Sequence, residues 1–345
     1  MEKIELNSMT LEQSKSFMIS IGEKGFRGEQ IFTYFNRNMK LDINSLVQLP
    51  QESRLKLLEE GKIAELKVLK RYDSDIDNTK KYLFLLDDQN IIESVFMEYK
   101  HGNTACISTQ VGCKMGCEFC ASTKEGLIRN LTPAEMLNQI YMMEKDTNKN
   151  VSNIVLMGSG EPLDNYENTI KFFKIIHDEK GHNTGLRNIT LSTCGVVPKI
   201  YDLAKENIPI TLSISLHSPF DDERGKIMPI ARKYKLKELM EACRFYGDST
   251  NRRLTFEYTL IENVNDSEKE VIELARILRG INAHVNLIPL NPIKEYAKDR
   301  PDRDNIERFQ ASLFNKNIPV TIRREMGGDI SASCGQLRRS YKELE

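Results

Sequence analysis

The chain contains no apolar run near the ~20 residues that a membrane-spanning helix needs. Its N-terminus, MEKIELNSMT, lacks the basic-then-apolar pattern of a secretory signal. Both absences predict a cytoplasmic protein with no membrane partner, in a compartment where thiols stay reduced. Seven cysteines, an odd number, argue against a disulfide scaffold. A formal net charge of −1 gives no global field for nucleic acid. It does not exclude RNA, because only the local field at a binding face decides that. Tryptophan is absent, and so are repeats and low-complexity segments. What remains is a 345-residue chain, long enough for one large domain and a small one.

Residues 1–64 read as short helices. Thr10 is a candidate cap for a helix with Leu11, Phe17 and Met18 on its apolar face. FRGEQIFTYF follows Gly22 and Gly25 and places Ile31, Phe32 and Phe35 on one face. Arg27 is a weak candidate for substrate docking. In residues 65–100 the period shortens. LKVLKRYDS, KKYLFLLDD and NIIESVFMEYK predict a β-meander used as a linker or extension, with Glu93 and Glu98 in its last strand.

From residue 101 to 320 strands and helices alternate. Pro133 falls in the first turn of PAEMLNQIYMMEK, with Thr132 as its cap. The alternation predicts an α/β fold with a parallel sheet flanked by helices. About six βα units suit a partial (βα)6 barrel, and a doubly wound open sheet is the runner-up. Polar motifs fall at strand C-terminal ends, where such folds place their chemistry. These are the cysteine loop, Gly158–Glu161, Ser192–Cys194, Ser215–His217 and Asn291. DRPDRDN is a polar loop, and residues 321–345 form a C-terminal segment.

Four cysteines crowd into CISTQVGCKMGCEFC, residues 106–120. The last three have the spacing Cys113-x3-Cys117-x2-Cys120. A structural zinc site closes with four ligands. Here Cys106 lies upstream on a predicted strand, and the spacing of His101 fits no usual zinc set. Iron–sulfur clusters also take thiolates, usually four. Three thiolates would leave one iron open to a substrate.

That spacing, with Phe119 before the last cysteine, resembles the radical S-adenosylmethionine (SAM) signature. The resemblance extends over FRGEQIF, VGCKMGCEFC, MGSGEPLDN, LSTCGVVP, SISLHSPFDDERGKIMPI, FEYTLIENVND, VNLIPLNP and ASCGQLRRSY, in this order. Together they resemble the RlmN/Cfr family of RNA adenine methyltransferases over nearly the whole chain. The resemblance implies a radical SAM barrel behind a helical N-terminal domain that serves RNA recognition. It implies one [4Fe–4S] cluster held by Cys113, Cys117 and Cys120, and two SAM molecules per turnover. Gly160, Glu161, Ser192, Ser215, Leu216, His217 and Asn291 match the cofactor contacts. Cys334 matches the cysteine that is first methylated and then bridges to the adenine. Cys106 matches the thiol that resolves that adduct through a transient disulfide, and Glu93 matches the candidate proton acceptor.

STQVGC, STCGVVP, FEYTL and CGQLRRSY lean towards the RlmN type, which methylates carbon 2 of an adenosine in 23S rRNA and in some tRNAs. The alternative within the family is the Cfr type, which acts on carbon 8. Outside it stands a non-catalytic iron–sulfur RNA-binding protein. An electron donor such as flavodoxin or ferredoxin is implied, and a monomer is expected. Three positions depart from the family pattern: Ser159, Cys194 and Gly328. Cys194 and Cys243 read as small buried hydrophobes. Arg323, Arg324, Arg338 and Arg339 form a cluster that is either solvated or set against RNA phosphates.

Overall fold

The computed structural model describes residues 3–338. Arg339 and the rest of the C-terminus lie outside the described residues.

One ten-stranded sheet organises the molecule. From one edge to the other its strands are Val320–Ile322, Ala283–Pro289, Leu254–Leu260, Thr211–Ser215, Ile189–Thr193, Val151–Leu156, Gly102–Cys106, Ile91–Tyr99, Lys80–Leu86 and Leu66–Asp73. The run from Gly102–Cys106 to Val320–Ile322 is parallel throughout. Its strands follow sequence order without reversal. A doubly wound sheet reverses its order at a switch point, so the order excludes that alternative and leaves the partial barrel. Strands covered on both sides are apolar and branched, and every residue of Leu254–Leu260 is buried.

The predicted meander is present as Leu66–Asp73, Lys80–Leu86 and Ile91–Tyr99. It does not stand apart from the barrel. Val95 pairs with Cys106 and Tyr99 with Gly102, so the three antiparallel strands extend the barrel sheet itself. The chain returns through a tight turn at residues 100–101, and an antiparallel pair needs nothing longer.

The helices follow their local signals. Thr132 caps Pro133–Thr147, and Glu135 closes a capping box with it. Thr10 and Gln13 make the same box at Leu11–Ser20. That helix crosses Phe26–Asn36 at Gly28, where a Cβ would lie 2.4 Å from the Lys15 backbone. Only glycine permits so close a crossing. Met18, Ile31, Phe35 and Leu57 build a local core. Phe32, expected on the same face, instead enters the main core beside Leu66 and Tyr82 and ties the helices to the sheet. Arg27 is occupied internally, by Glu23 and by Ser53 at 2.8 Å.

The C-terminal segment straps the top of the sheet. Gly327 N–H donates to Asp77 at 3.1 Å, and Asp329 accepts from Ser74 and from the Asp75 N–H at 2.7 and 2.8 Å. Farther along, Gln336 donates to the Pro292 carbonyl at 3.0 Å. Residues from the two ends of the sheet are thus held together by one segment, and that segment carries Cys334.

Candidate active site

The cysteine loop leaves the strand Gly102–Cys106 and is framed by a hairpin, Gln110–Gly112 against Leu127–Asn130. Cys113, Cys117 and Cys120 line one cavity at the C-terminal end of the barrel. All seven cysteines are unbonded. Among the described residues, no three His, Cys, Asp or Glu side chains converge on a single metal ion. Zinc needs that convergence, because its ligands share one centre. A polynuclear cluster does not, because each thiolate takes its own iron. Burial pushes the Cys113 thiol up to about 12 and the Cys117 thiol well above its ordinary value. Without a strong Lewis acid these thiols stay protonated, so cluster binding must release protons. Three thiols on one loop around a shared cavity fit a [4Fe–4S] cluster.

The same cavity gathers Gly160, Glu161, Ser192, Ser215, His217, Asn291 and Cys334. Gly160 has φ +106°, and a Cβ there would lie 2.6 Å from the Gln110 side chain. The Glu161 carboxylate is buried and accepts N–H bonds from Leu163 at 3.0 Å and Cys194 at 2.8 Å. Burial still raises its pKa. Ser192 and Ser215 end neighbouring strands, with hydroxyls 3.5 Å apart. His217 adopts a left-handed backbone, φ +57°. Its Nδ1 accepts the Thr259 N–H at 2.9 Å. Burial, with nearby Arg224, pushes its pKa down to about 3. The ring is therefore neutral with its proton on Nε2, a donor in the cavity wall. Leu216 differs from its neighbours: its side chain is core, and its N–H and carbonyl bond Glu257 and Arg224.

A second cavity adjoins the first. It is lined by Cys106, Met97, Tyr99 and Arg324, and it shares Met157, Asn291, Arg323 and Cys334 with its neighbour. Cys106 and Cys334 thus face one space, although more than two hundred residues separate them in sequence. Burial lifts the Cys106 thiol to about 12, and Arg323 opposes the shift. Asn291 donates to the Cys334 carbonyl at 2.9 Å. The Ala121 N–H donates to the Gly335 carbonyl at 2.7 Å, which pins the segment to the cysteine loop.

Glu93 lines neither cavity. It shares a strand face with Val95, Met97 and Tyr99, and Val95 stands between it and Met97 at the edge of the second cavity. Its carboxylate accepts the Arg338 N–H at 2.8 Å and lies 3.6 Å from Lys81 Nζ. Burial raises its pKa despite both partners.

The arginine cluster divides. Arg323 is half-buried between the two cavities, 3.7 Å from Glu257 and 3.3 Å from the Met157 sulfur. Arg338 grips Glu295 through two bonds of 2.6 and 3.0 Å. Arg324 is the exposed one of the described three, at the second cavity beside Arg323. Cys243 is core, whereas Cys194 is buried in the wall of the first cavity.

Sequence reasoning passed over Glu257 and Arg224. Glu257 is a lone acid in an otherwise apolar or hydroxylic buried strand, LTFEYTL, and that isolation was the available signal. Its Oε1 accepts from Ser213 and Asn286 at 2.7 and 3.0 Å.

The chain matches the radical SAM superfamily model over residues 107–275. It is 54% identical to a probable dual-specificity RNA methyltransferase RlmN of Clostridioides difficile (strain 630), over 99% of both chains. It is 52% identical to a protein of the same description from Alkaliphilus metalliredigens, over 99% of this chain and 97% of that one. A crystal structure of a radical SAM methyltransferase from Sphaerobacter thermophilus superposes with a TM-score of 0.92 at 42% identity, covering 97% of this chain and 99% of the other.

Proposed function

The chain belongs to the RlmN family of radical SAM RNA methyltransferases, and we propose that it methylates carbon 2 of an adenosine at the peptidyl transferase centre of 23S rRNA. The adenosine 3′ of the anticodon in some tRNAs is its second substrate. The observation that carries this reading is the position of Cys334, which borders both the three-thiol cavity and the pocket containing Cys106. A methyl group on that sulfur would face radical chemistry on one side and an entering base on the other.

Cys113, Cys117 and Cys120 would hold the cluster. Gly160, Glu161, Ser192, Ser215, His217 and Asn291 would contact SAM, with Leu216 fixing the strand end between them. Once bound, these groups supply a methyl cation equivalent and a radical able to take hydrogen from an S-methyl group. Cys334 accepts the methyl group as a thiolate and then carries the carbon to the electron-poor ring. The adduct gives up its odd electron to the electron-transfer partner and its ring proton to Glu93, whose pKa burial raises, the direction that strengthens a base. The Cys106 thiolate attacks the Cys334 sulfur: an S–S bond forms, the S–C bond breaks, and its electron pair leaves with the carbon, which takes up a proton from solvent to become the methyl group. Reduction of that disulfide resets the pair. One cluster per chain, two SAM molecules per turnover and an electron donor such as flavodoxin or ferredoxin complete the reading. Residues 1–64 serve RNA recognition ahead of the 65–100 extension, the 101–320 barrel and the 321–345 strap. The protein works as a cytoplasmic monomer.

Mass spectrometry of digested RNA after reaction tests the proposal. 2-Methyladenosine is expected, and 8-methyladenosine would overturn it in favour of the Cfr-type reaction. Cys334→Ala should yield no methylated RNA. Cys106→Ala should accumulate protein covalently joined to RNA, seen as a shifted band on a denaturing gel.

A further inference from the structure

Arg224, in the short helix Asp221–Ile227, is 1% exposed and heads the fully buried side chains by volume. Its Nε donates to the Leu216 carbonyl at 3.0 Å, and one terminal nitrogen donates to the carbonyls of Cys194 and Ser215 at 2.8 and 3.0 Å. Among the described residues it forms no ion pair. The three carbonyls take three of its five N–H donors and do not answer its charge. A neutral donor would meet some of the same carbonyls, whereas an isolated buried cation costs several kcal/mol.

Asp221 on the same helix acts on it without forming an ion pair, so an anion in the adjoining space would answer a charge that the hydrogen bonds leave unmet. The helix that carries Arg224 points to where that anion sits. Ile227 and Met228 pack directly against Cys113, Met115 and Cys194, with Cys117 and Phe119 at the edge of the same cluster. The Glu118 N–H donates to the Ile227 carbonyl at 2.9 Å. Gly116, between two of the cluster thiols, lies against Pro229, which a Cβ there would meet at 3.2 Å. The Arg224 segment is therefore the back wall of the three-thiol cavity.

We infer that Arg224 is the fixed counter-charge of the iron–sulfur cluster, and that it holds the cluster's reduction potential up. The inference rests on the cluster reading of Cys113, Cys117 and Cys120. Three thiolates on a [4Fe–4S]²⁺ core give a net charge of −1. One electron from a low-potential carrier makes it −2, with no proton taken up. A buried cation stabilises the second state more than the first. Net charge and burial are among the levers that set cluster potentials. The carbonyl bonds give Arg224 a second effect, because they fix the charge to the strand ends that line the cofactor cavity.

The test is potentiometric titration of the reconstituted protein, followed by the electron paramagnetic resonance of the reduced cluster, with iron and sulfide assays alongside. Arg224→Gln keeps a donor and removes the charge. It should lower the ratio of reduced to oxidised cluster about tenfold at a fixed poise, which is about 59 mV for a one-electron couple. Arg224→Lys keeps the charge and loses the fork, and should return the potential close to that of the parent protein. A cluster-loaded R224Q with an unchanged potential overturns the inference. If R224Q yields no folded protein, R224K decides: a potential near the parent's supports the counter-charge, and a tenfold fall overturns it. Parent protein that takes up no iron or sulfide would instead sink the cluster reading itself.

Discussion

Asn265 shows how much of the cofactor cavity depends on one amide outside it. The residue is 1% exposed and makes three side-chain bonds. Its Oδ1 accepts the Ile261 N–H at 2.8 Å, and its Nδ2 donates to the carbonyls of His217 and Thr259, both at 2.7 Å. Asn265→Ala leaves one N–H and two carbonyls without partners in the interior. At about 1 kcal/mol each, the loss is roughly 3 kcal/mol. An unfolding entropy of about 2.1 cal/mol/K per residue, over 345 residues, converts this to a fall of about 4 °C in the thermal midpoint. The second consequence is local. His217 holds a left-handed backbone that costs a non-glycine residue roughly 1–2 kcal/mol, and the Asn265 amide fastens its carbonyl in that conformation. Freed, the ring should leave the cavity wall and weaken SAM binding about tenfold. Thermal melts followed by circular dichroism give the first number, and equilibrium binding of SAM to the cluster-loaded protein gives the second. A midpoint within 1 °C of the parent protein, with unchanged SAM affinity, would refute the reasoning.

Gly160→Ala should fold poorly and load little cluster, because φ is +106° and the new Cβ would lie 2.7 Å from the Gln110 backbone in the hairpin that frames the cysteines. Iron content per chain measures this, and full loading would show that the hairpin yields. For Glu93, a base must be ionised, so the methylation rate should rise with pH through its raised pKa; Glu93→Gln should abolish that rising limb and lower the rate by 10²-fold or more. A Glu93→Gln variant that keeps both limb and rate removes Glu93 from the mechanism. His217 should show no titration between pH 5 and 8 by NMR, remaining neutral with its proton on Nε2. Its sign in stability follows. The unfolded chain binds this proton below about 6.5 and the native chain only near 3, so the contribution is complete above 6.5 and is lost as pH falls towards 3. An imidazole that titrates near 6.5 would contradict its burial.

The barrel was legible in the chain because its strands and helices keep their own periods. Thr132, Glu135 and Pro133 mark one helix start with three independent signals, and all three work as local chemistry predicts. The cysteine loop was legible for the same reason: its chemistry is carried by spacing. What could not be read is where long-range pairing decides. Nothing local shows that Val95 would pair with Cys106 and make the meander part of the barrel. Arg323 reads as one of four surface cations. It turns towards the two cavities because Val320–Ile322 becomes the last parallel strand, and the chain after it turns in across the strand ends. Arg224 sits among exposed Lys226, Arg232 and Lys233, and only the position of its helix on the cluster loop separates it from them.

The C-terminal strap joins these parts into one device. Its hydrogen bonds run to the meander through Asp77 and Glu93, to the barrel through Asn291 and Pro292, and to the cysteine loop through Ala121 and Ser122. Cys334 is therefore placed by the meander, the barrel and the cysteine loop at once. The same bonds occupy Glu93, whose carboxylate accepts the Arg338 N–H. In this arrangement the strap presents Cys334 to the three-thiol cavity while its Arg338 N–H holds the Glu93 carboxylate.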